Sequence, residues 1–515
     1  MLKMPISVLL FLLLVADLES ASVQQKDVPV TRVHLVFMNH LGGYPDNPGP
    51  VPIHPGGLSW NDCATFPGFN HALCFAFRTD NSGPPKSVQE ILSNFEVARG
   101  QFPDAYVKAS TLESFIEAVQ PIKSKLPVIT QESGDTWING IASDPRKVAE
   151  FRTIMRLRKK CIESGNCSLS DDRFYNSSRF LVKPAEHTWG LWAPNDNIHW
   201  TNAQFHKYMN STGFVRCVRA WQEQRNFSYL AIDALQNHSL AWDLRHELSK
   251  LYALKPDLSD GAISKLIDPL FNTSWASKTN VLGKFVYQTF DDGDFNYFDR
   301  HYAWTASFLG AVGKPNMSKN ASPVSQLWET SLLNLYRSKE IDVSLQWFGK
   351  TTTRLPESLN FVFNPTQNTD GAHWMIHKLG QWIDPLNVVL NGSQRLHVMD
   401  RGVYYINSKS QGMEIVSYDA GLVNVLTPDW DVNALSLPLK PIMSVDGMAF
   451  NLYNNLWDTN YIYWYPFEQR DINQKFRFTL NFKSPKSKFH KVYQQKSQAL
   501  KFVSSLKDTF WKFSG

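Results

Sequence analysis

Short apolar runs and amphipathic stretches alternate through the first third of the chain. Four runs rich in β-branched and aromatic residues predict buried strands, at 32–40, 71–77, 105–109 and 126–130. The stretches between the later runs carry apolar residues at helical spacing and predict helices at 87–99 and 111–123. Strands that alternate with helices pack in parallel. This part therefore predicts an α/β layer with functional side chains where its strands end.

A helical period replaces this alternation from residue 143 onward. The Ser-Asp-Pro sequence at 143–145 supplies an N-cap and an N1 proline for a helix that we expect to reach Glu163 and to end at Gly165. Further helical patterns predict a bundle, with helices at 203–209, 213–236 and 238–251. The first helix carries a basic face that we expect to be exposed to solvent, formed by Arg152, Arg156, Arg158, Lys159 and Lys160.

Beyond about residue 280 the apolar positions recur with a period of two. Many strand-like runs follow one another at short spacing, separated by Gly, Asn, Pro or Asp. This pattern predicts an antiparallel β-sandwich region. We therefore expect a multidomain α/β plus β fold, with an α/β region at 22–140, a helical bundle at 141–275 and β-sandwich domains at 276–515.

Composition and charge narrow the class of protein. The chain has 515 residues, of which 43% are hydrophobic and 19% charged, so it can bury a large core. The net charge is +5. The basic residues form no block interleaved with aromatics that would follow a phosphate backbone. We therefore expect no nucleic-acid partner.

The first residues are typical of a secretory signal peptide, at 1–21. Lys3 precedes an apolar run at 6–16 that is too short to span a bilayer, and small residues follow at 20–22. Asn-x-Ser/Thr sequons agree with this route, at Asn166, Asn176, Asn210, Asn226, Asn237, Asn272, Asn316, Asn320 and Asn391. We expect a glycoprotein that is secreted or lysosomal and has no membrane span.

The five cysteines are an odd number for a secreted chain. Cys161 and Cys167 flank a turn-prone loop after a helix, so we expect a local disulfide between them. Cys63, Cys74 and Cys217 then leave one thiol over. It is either a buried free cysteine or one whose partner lay in a segment that this chain lacks.

Several familiar catalytic motifs are absent, including G-x-S-x-G, the P-loop, H-E-x-x-H and C-x-x-C. Carboxylates and histidines stand instead at predicted strand ends and helix starts, with tryptophans beside them: His40, Asp80, Glu132, Asp135, Trp137, Glu186, His187 and Trp189. Sugar hydrolysis needs paired carboxylates, and aromatic faces bind sugar rings. Structural alternatives are open, because Asp80 and Asp135 suit turns and His187 suits a hydrogen-bonded interior position.

Longer segments carry a specific resemblance. The sequences RTDNSGPPKSVQEIL, LPVITQESGDTWINGIASDPRKVAEFR and KPAEHTWG, with WFGKTTTRLPESLNFVFNP and NLYNNLWDTNYIYWYPF, resemble secreted proteins that carry domain of unknown function 5054. Those proteins resemble glycoside hydrolase family 38, the retaining α-mannosidases. The resemblance covers nearly everything after about Gly43.

The resemblance implies a seven-stranded β/α barrel that holds a divalent metal, usually zinc, followed by a helical bundle and β-sandwich domains. The fold expected here is thus a partial barrel of this type, a bundle and a C-terminal sandwich region. The resemblance also implies roles for single residues. They are metal binding for His40 and His187, general acid/base catalysis for Asp80, and substrate contact for Asp135, Trp137, Glu186, Trp189, Asn455, Trp457 and Asn460.

Two departures from the family's pattern predict impaired hydrolysis. The His-x-Asp metal motif is His40-Leu41-Gly42 here, so one ligand side chain is missing. The long stretch that would carry several β/α units and the nucleophilic aspartate is also missing. The chain could therefore be a weak or inactive α-mannosidase relative, a glycan-binding protein that does not cleave, or a non-functional product of splicing or of an incomplete gene model.

Overall fold

The fold is taken from a computed structural model, and two compact units make it up. The structure describes residues 28–37, 63–76, 85–126, 128, 130–135, 138–185, 207–208, 210–254, 275, 282–290, 329–333, 340–350, 357–365, 372–389, 392–427, 442–455 and 469–483. The first unit comprises 1–130 and 499–515, and the second comprises 131–498. The described residues of the bundle and sandwich segments lie in the second unit.

The first unit contains an open four-stranded sheet in the order β2-β3-β1-β4. Its strands are β1 Arg32–Phe37, β2 Cys63–Ala64, β3 His71–Ala76 and β4 Tyr106–Ser110. Strand β1 pairs in parallel with both β3 and β4, as the alternating pattern predicts, and β2 pairs antiparallel with β3. Within the described residues these strands do not close into a barrel.

Two helices pack against this sheet, one between β3 and β4 and one directly after β4. Helix α1, Val88–Gln101, begins where the Ser87 side chain accepts a hydrogen bond from the Glu90 backbone N–H. Helix α2, Leu112–Val119, begins at Thr111 and continues as a 3₁₀ helix, Gln120–Lys125, because Pro121 has no N–H for a further α-helical turn. Separate apolar clusters lie under the two helices, around Ala98 of α1 and around Phe115 of α2.

The strand predicted at 126–130 is wrong for the residues of this run that the structure describes. Leu126, Val128 and Thr130 lie outside any strand, and Val128 is 80% exposed. The chain pairs just afterwards, where Glu132 forms an isolated parallel bridge with Val388. Pro127 offers no N–H to a sheet, so it interrupts the hydrogen-bonding pattern that the apolar run suggested.

Helices α3 to α6 form a bundle in the second unit. Their bounds are α3 Pro145–Glu163, α4 Asp172–Phe180, α5 Thr212–Asp233 and α6 Ser239–Ser249. Their common core includes Ile154, Phe174, Leu235 and Leu244. The sequence pattern predicts three of these helices and misses α4. That helix is short and largely polar, and it buries only Phe174 and Ser177.

Two antiparallel sheets form the sandwich. The seven-stranded sheet has the order β10-β9-β12-β13-β16-β7-β6, and the five-stranded sheet has the order β11-β14-β15-β8-β5. The strands are β5 Gly283–Thr289, β6 Glu329–Leu333, β7 Glu340–Trp347, β8 Glu357–Phe363, β9 His373–Lys378, β10 Gln381–Ile383, β11 Leu396–Val398, β12 Gly402–Ile406, β13 Gly412–Ser417, β14 Leu422–Leu426, β15 Gly447–Asn454 and β16 Gln474–Lys483.

The sandwich core follows the period of two that the sequence displays. Alternate residues of β16 are buried, and Phe478 among them contacts phenylalanines of the facing sheet. Its ring centroid lies 6.3 Å from that of Phe361, 5.6 Å from that of Phe363 and 5.1 Å from that of Phe450. Offset and edge-to-face aromatic contacts of this kind add to the stabilisation from burial.

The basic face of α3 differs from the sequence expectation. Arg152 donates to the carbonyl oxygens of Met399 at 2.7 Å and Ser417 at 2.8 Å, and Arg156 donates to that of Tyr418. These two arginines therefore bind strand ends of the sandwich. Only the far part of the expected face, including Lys159, is exposed. The helical spacing of the basic residues predicts that they share one face of α3. It does not show that carbonyl groups of the sandwich bind part of that face.

A buried ionic network connects α3 and α5 to the turn before β16. Arg225 of α5 donates twice to Asp144, from Nε at 2.7 Å and Nη2 at 2.8 Å, and its Nη1 lies 3.0 Å from both Asp471 oxygens. Arg146 donates to Asp471 at 3.1 Å and to Glu150 at 3.0 Å. Burial alone would raise the pKa of Asp144, but the charges and hydrogen bonds of Arg225 and Lys147 together outweigh it and the pKa is lowered.

Four of the five cysteines form disulfides. Cys161 is bonded to Cys167, the local pair expected from the sequence, and Cys63 is bonded to Cys74 across β2 and β3. Cys217 is the remaining cysteine, and its side chain is outside the described part of the structure. Among the described residues, no helix is both long and apolar enough to cross a bilayer.

Replacing Asp471 by alanine should destabilise the second unit by about 3–5 kcal/mol, because two buried arginines would lose a shared carboxylate. Urea unfolding followed by circular dichroism would measure this. The matched control is Asp233→Ala, which breaks an exposed pair with Arg245 and should cost less than about 1 kcal/mol. Equal losses in the two variants would show that the buried network does not hold the unit together.

A second prediction concerns two histidines of the first unit. His34 Nε2 lies 2.8 Å from His71 Nδ1, and His34 Nδ1 lies 2.8 Å from Ser110 Oγ. Burial lowers the pKa of His34 to about 4, assisted by the charges of Lys108, His71 and Arg32, and burial also lowers that of His71. Both histidines are therefore neutral in the folded unit at neutral pH.

The free energy of unfolding of the first unit should decrease as the pH falls from about 6.5 towards 4. In this range the histidines bind protons in the unfolded chain, whereas His34 stays unprotonated in the folded unit. Hydrogen exchange of β1 and β3 peptides, corrected for the intrinsic rate, would measure this. The variant His34→Asn can keep the Ser110 bond and does not titrate, so its pH dependence should be weaker. An unchanged pH dependence would contradict the assignment.

Candidate functional site

The residues proposed from the sequence are only partly in the described structure. Asp135, Asn455 and Glu132 can be placed. The others lie outside the described residues: His40, Asp80, Trp137, Glu186, His187, Trp189, Trp457 and Asn460. The site is therefore built from the two clusters in the second unit to which the described residues belong.

The first cluster, the Lys378 cluster, contains Glu132, Asp135, Lys378 and His397. Lys378 Nζ lies 2.9 Å from Glu132 Oε1 and 2.6 Å from Asp135 Oδ2. Asp135 also accepts a hydrogen bond from the Val398 backbone N–H at 2.9 Å. Both carboxylates thus form ion pairs with one ammonium group.

His397 is the buried neighbour of this pair of carboxylates. Its Nδ1 lies 4.0 Å from Asp135 Oδ2, and its Nε2 lies 3.1 Å from the Gln394 carbonyl oxygen. Burial lowers the pKa of His397, and the Lys378 charge lowers it further. A neutral imidazole that donates Nε2–H to Gln394 leaves Nδ1 unprotonated on the Asp135 side. Proton transfer to Asp135 is not favoured by this arrangement.

Backbone contacts fix the segment that carries the two carboxylates. The Glu132 N–H donates to Asn387, and the Glu132 carbonyl accepts from Val389 at 2.8 Å. Gly134 has a φ of +79°, and an added Cβ would lie 2.5 Å from the Ser393 nitrogen. Only glycine fits this close approach. The placement of Asp135 therefore depends on Gly134.

The second cluster, the Glu357 cluster, gathers residues around Glu357 at the start of β8. Glu357 is buried, and its Oε1 accepts from Lys350 Nζ at 2.7 Å and from Tyr453 OH at 3.3 Å. Its Oε2 accepts from Tyr287 OH at 2.5 Å. Burial raises the pKa of Tyr287, and the Glu357 charge raises it further. The two phenols are therefore neutral donors to a carboxylate.

A chain of buried amides continues from this cluster along the same sheet. Asn360 Oδ1 accepts from Asn451 at 3.0 Å, Asn451 Oδ1 accepts from Asn454 at 3.1 Å, and Asn454 Oδ1 accepts from Ser143 at 2.9 Å. The Asn455 backbone N–H donates to the Glu357 carbonyl at 2.7 Å. Buried polar chains of this kind specify one arrangement, because any other leaves polar groups without partners.

The Glu357 cluster brings together two sequence segments that are far apart in the chain. Lys350 and Glu357 come from WFGKTTTRLPES, and Tyr453 and Asn455 come from NLYNN. Sequence reasoning singled out Asn455 but missed Glu357 and Lys350. The signal was present, because both residues stand inside a segment that the resemblance had marked. Their pairing depends on a contact across the sheet, which no local pattern encodes.

Metal binding finds no support in the described residues. They contain no group of three or more His, Cys, Asp or Glu side chains placed to hold an ion. The two histidines named as ligands, His40 and His187, lie outside the described residues. Of the sequon asparagines, those that the structure describes are all exposed: Asn166, Asn176, Asn210, Asn226 and Asn237.

The comparisons with known proteins bear on the family. Residues 141–260 match the domain of unknown function DUF5054, so the resemblance drawn from the motifs is confirmed over this segment. Among solved structures, an α-mannosidase from Enterococcus faecalis V583 aligns with a TM-score of 0.40 and 10% sequence identity. The alignment covers 84% of this chain and 65% of that chain. No curated protein matches the sequence.

Gly134→Ala should destabilise the second unit by about 2 kcal/mol more than Gly165→Ala, since only Gly134 faces a backbone clash. Gly165 is the matched control because it has nearly the same φ, +77°, with nothing within 4 Å of an added Cβ. The control should cost about 1 kcal/mol for the left-handed backbone alone. Urea unfolding of both variants tests this. Similar costs would mean that residues 131–135 are not held as described.

Proposed function

We propose that this chain is a secreted glycan-binding protein of the α-mannosidase-like class, with hydrolysis weak or lost. The observation that carries the proposal is the convergence of two motif segments on Glu357. Lys350, Tyr453 and Asn455 are joined there through hydrogen bonds to one residue. The two segments are therefore joined at one residue.

The chemistry of these segments suits a neutral polyhydroxyl ligand. Strand β15 ends at Asn454, and the chain proceeds to Trp457 and Asn460 within six residues. An indole face packs against the C–H face of a sugar, and amide groups donate to and accept from its hydroxyls. The buried amide chain fixes the end of β15, so less ordering remains to be done when a ligand binds.

Hydrolysis of α-mannosidic linkages is the second candidate. The sequence around Asp80 favours it, because the resemblance makes this residue a general acid/base. Against it, Asp135, the described carboxylate of the expected pocket, is paired with Lys378. The implied zinc does not fit the chain well either, because His40-Leu41-Gly42 offers one side-chain donor where the family has two. No catalytic step is therefore derived through a metal.

The proposal includes the secretory route, extracellular or lysosomal. Disulfides persist in oxidising compartments, and the described part of the chain holds two of them. The exposed sequon asparagines agree, since a glycan needs room at the surface. Glycans are the proposed partners, and nucleic acid is not.

Calorimetry with mannose-type oligosaccharides should detect binding by the full glycosylated chain, and an aryl α-mannoside assay with added zinc should detect little turnover. Trp457→Ala should weaken binding about tenfold or more, because stacked aromatic residues dominate such interfaces. Tyr106→Ala, which removes an exposed aromatic residue of β4, is the matched control and should bind as the unmodified protein does.

The same assays separate the alternatives. Turnover that is abolished by Asp80→Asn would establish the enzyme and overturn the loss of hydrolysis. Absence of both binding and turnover in a folded protein would overturn the proposal as a whole.

A further inference from the structure

Trp242 is a large apolar side chain that the second unit leaves in solvent. It lies in the first turns of α6 and is 71% exposed. One face of its indole stacks on His246, with ring centroids 5.5 Å apart and planes 12° from parallel. An exposed tryptophan held flat by a neighbour on one side presents its other face as a platform.

The sequon at Asn237 lies at the start of the helix that carries this platform. His238 is the N-cap of α6, and its Nδ1 accepts from the Leu240 N–H at 3.1 Å. Asn237 is therefore the N′ residue and Trp242 is the N4 residue of the helix. An apolar group at N′ often packs against the residue at N4 across the helix start. Asn237 itself is polar, but a sugar attached to it would bring an apolar C–H face to the N′ position, on the side of the residue at N4.

Arg173 fixes the amide of Asn237. Its Nη1 donates to Asn237 Oδ1 at 2.6 Å, and its other nitrogens bind both carboxylate oxygens of Asp171. A guanidinium group only donates, so the Asn237 oxygen is the contact atom. N-glycosylation uses the amide nitrogen, so the Arg173 contact and a glycan can coexist.

We propose that the Trp242 indole is a binding platform for the first N-acetylglucosamine of an N-glycan on Asn237. The modification forms a bond between Asn237 Nδ2 and the anomeric carbon of a lipid-pyrophosphate-linked oligosaccharide. One amide proton and the lipid pyrophosphate leave. The sugar ring then covers the exposed indole face with its own C–H face. This inference depends on the secretory route in the proposed function, but not on glycan binding by the loops of the sandwich.

A second sequon lies close by, and it supplies the alternative occupant. Cys167 Sγ lies 4.0 Å from His238 Nε2, so Asn166 and Asn237 are each one residue away from this contact. Both asparagines are exposed. Asn237 is the occupant we propose, because it alone of the two holds the N′ position of α6.

The test uses the full chain made in cells that attach N-glycans. Ser239→Ala removes the Asn237 sequon and leaves the Asn237 contact with Arg173 in place, and Ser239→Thr keeps the sequon as the conservative control. Glycopeptide mass spectrometry should find Asn237 occupied in the unmodified protein and in Ser239→Thr. An unoccupied Asn237 overturns the inference.

Accessibility of the glycan is the second measurement. Peptide N-glycosidase acting on the folded protein should release the Asn237 glycan slowly, and Trp242→Ala should speed that release about tenfold. Release from Asn226, an exposed sequon within α5, is the internal control and should not change. If the glycan is released from Asn237 at the same rate in the unmodified protein and in Trp242→Ala, the proposed contact between the glycan and Trp242 is wrong.

Stability provides the third measurement. Ser239→Ala should lower Tm by about 2 to 4 °C through loss of the covered indole. It should lower Tm much less in the Trp242→Ala background, because the two changes remove the same contact. Additive shifts overturn the inference. If the shift follows removal of the Asn166 sequon instead, the platform belongs to that glycan and the Asn237 assignment is wrong.

Discussion

The arginine–carboxylate network around Arg225 is the constraint on which the second unit depends. Its members come from the start of α3, the middle of α5 and the turn before β16, so one set of charges joins helices to the sandwich. A buried charge that loses its partner destabilises the fold, because the cost of removing it from water is no longer offset by an ion pair. The network therefore allows one relative placement of bundle and sheet, and the Arg152 contacts to strand-end carbonyls repeat that constraint.

This rigid join explains why the two clusters of the candidate site are built from distant segments. Asp135 reaches Lys378 and Val398 of the sandwich, and Ser143 reaches Asn454 of β15. In both clusters a lysine forms ion pairs with carboxylates, and in the Glu357 cluster two phenols also donate to the carboxylate. These contacts hold together backbone segments that are far apart in the sequence.

The sequence predicted most of the fold for reasons that are local. A period of two identifies the buried side of β16, and Asp144 with Pro145 identifies the start of α3. The failures share a physical cause, which is dependence on distant partners. Lys350 and Glu357 meet Tyr453 only after the strands pair. The sequence also predicted that Arg152 is exposed to solvent, whereas it donates to carbonyl oxygens of the sandwich. The spacing of charged residues is the same in both cases.

The boundary between the two units lies between Thr130 and Gln131. The bridge between Glu132 and Val388 follows directly after this boundary. Residues 131–135 therefore belong energetically to the sandwich, although their sequence reads as the end of the α/β region. The partners of Asp135, Lys378 and Val398, both lie in the second unit. Substitutions in the strands of the first unit therefore leave this ion pair and this hydrogen bond in place, so the two parts of the sequence can diverge at different rates.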